Sequence, residues 1–155
     1  MNSLVSVIIP TYKRSNYILR AINSVLEQTY KHIEIIVVDD NEGDDEFSKL
    51  TKSVLKKLID SKKIIYIKHA TNKGLAAARN TGIKVATGDY IAFLDDDDEF
   101  FPMKTELQLK IFNESESNLG LVYGAYLEVD VNLNEVTSIP PKIKDNVYSI
   151  LGLNH

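Results

Sequence analysis

The sequence predicts an α/β domain, a Rossmann-like, mostly parallel sheet flanked by helices. Three observations carry this. Short apolar runs recur along the chain, each strand-sized and bounded by turn residues. Between them lie longer stretches whose apolar residues return every three or four positions. The two patterns alternate, which implies right-handed crossovers and a parallel sheet covered on both faces.

The elements follow in order. Leu4 to Ile9 ("LVSVII") reads as the first strand. Ile18, Ile22, Val25 and Leu26 keep a helical period, with Ser15 or Asn16 as N-cap. Ile33 to Val38 ("IEIIVV") is the second strand, and Phe47, Leu50, Val54, Leu55 and Leu58 form the apolar face of a second helix. Ile64 to Lys68 ("IIYIK") is the third strand. The helix predicted from Leu75 to Val85 is alanine-rich, small enough on one face to pack closely on a sheet. Tyr90 to Leu94, continuous, apolar and preceded by the turn pair Gly88-Asp89, is expected to be a fourth strand buried on both faces. "LVYGAYLEVDVNLNEVTSI" then reads as a strand and a return across a polar turn.

At 155 residues, one domain with one sizeable core is expected, and the 44% hydrophobic fraction fits a folded globule. The absence of cysteine excludes a disulfide framework and a thiolate zinc site, and fits a reducing compartment. The apolar run at the N-terminus is too short for a signal peptide or a membrane span, so a cytoplasmic protein is expected. The lysines between Lys49 and Lys63 offer a peripheral contact with the inner face of an anionic membrane or, on the plainer reading, the wet face of the second helix. His32, His69 and His155 are separated and show no metal-ligand spacing. No internal repeat, low-complexity tract or linker precedes residue 139, and nucleic acid is not an expected partner.

The net charge of −4 hides an uneven distribution. Asp39, Asp40, Glu42, Asp44, Asp45 and Glu46 make one acidic cluster, and residues 95 to 99 make another. Those 11 acids are half of the 22, and the rest of the chain sets the other 11 against 18 Lys and Arg. In an open α/β sheet ligands bind outside the carboxyl ends of the strands. Both clusters fall there, with "PTYKR" after the first strand and "HATNKG" after the third. One rim thus gathers Thr11, Arg14, Asp39, Lys73 and the aspartate run.

Two carboxylates ~5 Å apart repel by roughly 3 kcal/mol at an effective dielectric near 20, so Asp95 to Asp98 are either splayed into water or meet something positive. A hard divalent cation would answer the repulsion, since Mg²⁺ and Mn²⁺ take oxygen ligands and complete their shells with phosphates. An EF-hand register over Asp95, Asp97, Glu99 and Glu106 puts Phe100 where the turn glycine belongs, and Pro102 intrudes. An aspartyl-phosphate phosphatase would use Asp95 as nucleophile, but its Asp-x-Asp pair should follow the first core strand, not the fourth.

The blocks "VSVIIPTYKR" (5–14), "AINSVLEQTYKHIEIIVVDD" (21–40), "NKGLAAARNTGI" (72–83) and "GDYIAFLDDDDEFFP" (88–102) together resemble a family 2 glycosyltransferase of the GT-A fold. They resemble its N-terminal, nucleotide-sugar-binding part. The resemblance implies a nucleotide-diphosphate sugar as donor, most often a UDP-sugar, and Mn²⁺ or Mg²⁺ bridging the diphosphate to an Asp-x-Asp motif. It implies transfer with inversion to a glycan or lipid-linked acceptor in surface polysaccharide synthesis. The alternative is a nucleotide- and metal-binding module without transfer activity.

Carried onto this chain, Pro10, Thr11, Tyr12 and Arg14 line the nucleoside, and Asp39 accepts a hydrogen bond from the base, with Asp40 second. Asp95 and Asp96 lie near ribose and metal, and Asp97 ligates the metal. Four aspartates satisfy the motif twice; the 95/97 register, with Pro102 five residues beyond its second member, is preferred. Lys73, at the mouth of the third helix beside Gly74, and Arg79 are candidate phosphate or carboxylate partners; otherwise Lys73 is solvated and Arg79 pairs along its helix face.

Two departures stand against the pattern. After "VVDD" the family continues with Gly-Ser, whereas this chain has "NEGDDE", read as a turn and a solvated helix start. The acidic motif that supplies a general base is also not evident. Glu128 and Asp130 carry no supporting pattern, so residues 1–155 are expected to be a truncated catalytic domain, with 1–102 its nucleotide-binding half and 103–155 the start of the acceptor side.

Overall fold

The computed structural model describes residues 3–115, 119–130 and 135–139. They belong to two compact units, Met1–Glu106 and Leu107–His155.

The first unit holds strands β1 (Val5–Thr11), β2 (Ile33–Asp39), β3 (Ile65–Lys68) and β4 (Tyr90–Phe93), all parallel, in the order β3-β2-β1-β4. Apolar, mostly β-branched residues favour the pleated, doubly covered centre, and every residue of β1 is buried. The β1–β2 ladder runs beyond the apolar letters to the pair Thr11–Asp39, so polar residues at the strand ends are still held by sheet hydrogen bonding.

Helix α1 (Ile18–Leu26) buries Ile18, Ala21, Ile22 and Val25, as its period predicts. Its N-cap is Tyr17, without a side-chain cap, rather than Ser15 or Asn16. The carbonyl of Arg14 accepts the Tyr17 N–H at 3.0 Å, so a backbone turn takes over at the helix start. Helix α2 (Glu46–Asp60) is capped by Asp45, which accepts the Ser48 N–H at 2.7 Å. It seats Ser48, Thr51 and Leu55, while Phe47 and Leu50 stay exposed at 39% and 45%. The expected apolar face is therefore rotated. The seat is partly polar, because Thr51 meets the buried Asn41 amide.

Helix α3 (Leu75–Val85) packs on β1 and β2. Ala78 is fully buried with Ile8, Ile36 and Val38, and burying each of the three branched side chains contributes about 1.5–3 kcal/mol. A Cβ at Gly82 would lie 2.4 Å from Ile8 Cγ2, so the small face predicted for this helix is a steric requirement. Right-handed crossovers put α1 and α2 on one face of the sheet and α3 on the other.

β4 corrects an expectation. Ile91 and Phe93 are 41% and 45% exposed, because β4 is an edge strand that pairs only with β1 among the described residues. Past it, the chain is clamped to the end of α1 by Gln28. The Gln28 Nε2 donates to the carbonyls of Ser24 (3.1 Å) and Phe101 (2.8 Å), and its Oε1 accepts the Thr105 N–H (3.0 Å) and hydroxyl (2.9 Å). Ser24 Oγ accepts the Phe100 N–H at 3.0 Å. Helix α4 (Lys104–Glu114), not anticipated from the sequence, starts from this clamp.

In the second unit, β5 (Tyr126–Val129) and β6 (Glu135–Ile139) form an antiparallel pair, which is the strand and return read from the sequence. All of β5, including Glu128, is exposed. "PKIKDNVYSILGLNH", with His155, lies outside the described residues. No helix among the described residues is long and apolar enough to cross a membrane.

Candidate functional site

The carboxyl ends of β1, β2 and β4 open into one cleft of about 450 Å³. Pro10, Thr11, Tyr12 and Arg14 line it from the loop after β1, and Asp40 from the end of β2. Asn72, Gly74, Leu75 and Ala78 come from the start of α3, and Asp95 and Asp96 from beyond β4. Three residues that the sequence reading did not select, Asn72, Leu75 and Ala78, share this wall. Asp39, Lys73, Arg79 and Asp97 are close in the chain to lining residues but do not themselves line the cleft.

The aspartate run is answered by arginines. Arg79 Nη2 lies 2.7 Å from Asp95, Arg14 Nη1 2.5 Å from Asp97 and 3.4 Å from Asp96, and Arg20 Nη2 2.5 Å from Glu99. The sequence placed Arg14 on the rim without identifying its partners, and Arg20 was missed. Arg20 is one helical turn from Ser24 on the helix that Gln28 clamps to the post-β4 segment, but only the folded sheet shows that helix's neighbour.

Asp96 is the buried member, 4% exposed, and accepts the Thr11 hydroxyl at 2.6 Å. Burial raises its carboxyl above the usual range, outweighing the opposing pull of Thr11 and Arg14. Asp98 is raised as well, by burial and then by its neighbours Asp97 and Asp95. Burial would lower the Arg14 guanidinium, but Asp97 and Asp96 overcome that and hold it above its ordinary value. Arg79 spans the gap between sheet and cleft: its guanidinium lies 5.5 Å from the Phe93 ring, and its buried Nε has no hydrogen-bond partner among the described residues.

The two aspartates after β2 part company. Asp39 is fully buried; Oδ1 accepts the backbone N–H (2.9 Å) and side-chain amide (2.8 Å) of Asn41, and Oδ2 accepts the Tyr66 hydroxyl. Burial, then the hydrogen bond to Asp39, raises the Tyr66 phenol. Asn41 in turn accepts the Lys13 N–H at 2.7 Å, which fixes the β1 loop where Lys13 takes φ +57°. Asp40 faces the cleft and caps α3 from outside, accepting the N–H groups of Lys73 (2.9 Å) and Gly74 (2.8 Å). Gly74, at φ +84°, makes the turn that presents them.

Asn41, Tyr66 and His69, which support the two aspartates, were also not selected from the sequence. Tyr66 carried a signal, since alternation along β3 puts it on the same face as Lys68, which pairs with Asp39 in register.

No group of three or more His, Asp or Glu side chains among the described residues is arranged to hold a metal ion. Asp95 and Asp97 do offer half-exposed carboxylates, 43% and 41%, at the mouth of the site. Hard oxygen donors in that number fit a cation that keeps most of its shell for phosphate and water.

An open parallel sheet with an acidic, arginine-braced cleft at its carboxyl edge and a helix N-terminus beside it is the Rossmann-like α/β architecture in which ligand sites form at the carboxyl ends of the strands. The chain belongs to glycosyl transferase family 2, whose family model matches residues 6–147.

A glycosyltransferase of Rickettsia felis is 54% identical over 111 residues, covering 72% of this chain and 17% of that protein. The Escherichia coli UDP-Glc:alpha-D-GlcNAc-diphosphoundecaprenol beta-1,3-glucosyltransferase WfaP is 42% identical over 140 residues, covering 90% of this chain and 53% of WfaP. The chain therefore spans about half the length of such relatives, or less. Among solved structures, S. aureus TarS 1–349 in complex with UDP superposes with a TM-score of 0.61 at 28% identity, over 72% of this chain and 32% of that one.

Proposed function

We propose that the cleft binds a nucleotide-diphosphate sugar, a UDP-sugar, as the donor side of an inverting glycosyltransferase acting on a glycan or lipid-linked acceptor in surface polysaccharide synthesis. The observation that carries this is the convergence of Thr11, Arg14, Asp40, Asp95, Asp96 and the α3 start on one cleft. The UDP bound by TarS 1–349 and the UDP-glucose and diphosphoundecaprenol of the WfaP name support the choice of nucleotide and acceptor class.

In this reading Pro10, Thr11 and Tyr12 form the nucleoside wall, Tyr12 presenting a ring that is 43% exposed. Asp40, the acid of the β2 pair that faces the cleft, is the acceptor for the base; Asp39, buried behind it, instead holds Asn41 and through it the β1 loop. Asp96, held by Thr11, would face the ribose, and Asp97 with Asp95 would hold Mn²⁺ or Mg²⁺. A bound divalent cation supplies Lewis-acid neutralisation of the departing diphosphate. Arg14 and Arg79, paired with Asp97 and Asp95, would stand beside the diphosphate as charged donors to its oxygens.

The test is thermal. UDP with Mn²⁺ or Mg²⁺ should raise the melting temperature well above the shift given by UDP in chelator. Equal shifts with and without metal would exclude a bridging cation, and no shift in either would exclude the nucleotide site.

A further inference from the structure

We propose that His69 is a positioning residue for this cleft, holding Asp40 in the orientation that sets the entrance of α3. The proposal rests on reading the cleft as a nucleotide site. His69 is 4% exposed, yet both ring nitrogens are engaged: Nδ1 lies 2.7 Å from Asp40 Oδ1 and Nε2 2.8 Å from Thr81 Oγ1. A carboxylate only accepts, so Nδ1 carries a proton, and in the neutral ring Nε2 accepts the Thr81 hydroxyl hydrogen. The ring thereby ties the end of β2 to the body of α3.

Asp40 passes this constraint on. The oxygen that accepts the His69 Nδ1–H also accepts the Lys73 N–H at 2.9 Å, and the second carboxylate oxygen accepts the Gly74 N–H at 2.8 Å. Asp40 and Gly74 both line the cleft, so the ring behind them fixes a wall side chain and the backbone of a helix entrance together. An apolar residue of similar volume would fill the space but remove one donor from a buried carboxylate, which costs more than the hydrogen bond itself contributed. Asp40 would then settle on its remaining donors and pull the Lys73–Gly74 turn with it.

The experiment combines side-chain NMR of the wild-type chain with UDP binding by variants in Mn²⁺. Long-range ¹H–¹⁵N spectra should show His69 protonated at Nδ1. His69→Ala should weaken UDP about tenfold, the order expected when one hydrogen bond to a charged binding group is removed. His69→Asn, whose amide reaches the Nδ1 position, should recover most of that loss, a rescue that mere packing would not produce. A proton found only on Nε2 overturns the proposal, with no variant needed. So does wild-type affinity in both variants, or an equal loss in both. If the wild-type chain does not bind UDP at all, the nucleotide reading itself fails, and the proposal with it.

Discussion

Thr11→Val removes one hydroxyl from the most constrained point of the site. Valine keeps the β-branched shape that β1 requires, and the change is confined to the bond from Thr11 to Asp96. Both groups are buried, at 2% and 4% exposure, so water replaces the lost donor only in part. Asp96 would retain Arg14 Nη1 at 3.4 Å, a long contact with a half-exposed side chain.

A hydrogen bond to a charged group is worth about 1.5–3 kcal/mol, and a loss near 2 kcal/mol at neutral pH is expected. At roughly 4 °C per kcal/mol for a domain of this size, the melting temperature should fall by about 8 °C. The deficit should depend on pH. The folded-state carboxyl of Asp96 is raised, so its protonated form is favoured by folding. Its contribution to stability is fully present below the unfolded carboxyl range and is lost as pH rises through the folded value. Removing the Thr11 donor raises that value further, so the penalty should be greatest at pH 7.5 and shrink toward pH 4. Urea unfolding at both pH values measures it, with Thr11→Ser as the control that keeps the hydroxyl. A pH-independent difference, or a Thr11→Val chain as stable as wild type at pH 7.5, would refute the reasoning.

Asp97→Asn should abolish the metal dependence of UDP binding and change stability by less than about 1 kcal/mol, because the lost pair with Arg14 is half exposed; a metal response equal to wild type would exclude Asp97 as ligand. Gln28→Ala should destabilise the first unit by about 2–4 kcal/mol in urea titrations, since it strands the N–H of Thr105 and two carbonyls in a buried clamp. A change below about 1 kcal/mol would mean that water or local repacking replaces the clamp.

The sequence by itself determined the alternation of strands and helices, the parallel sheet and the edge at which the cleft opens. These follow from periodicities and turn residues that neighbours a few positions apart create. The close seat of α3 was equally legible, because Ala78 and Gly82 state their size without reference to a partner. Tertiary structure alone decided which face α2 buries, since Thr51 is drawn inward by Asn41, a residue outside the helix. It alone opened β4 on one edge, a matter of strand order that Ile91 and Phe93 cannot announce. It also gave Asp39 and Asp40 opposite duties. The two are adjacent in sequence and alike in chemistry, but one is met by Tyr66 across 27 positions and the other by His69, Lys73 and Gly74 across 29 to 34. The arginines that neutralise the aspartate run arrive across 16 to 83 positions. A carboxylate's role is set by the donors that reach it, and those are chosen by the packing of the sheet and its helices, not by the letters beside it.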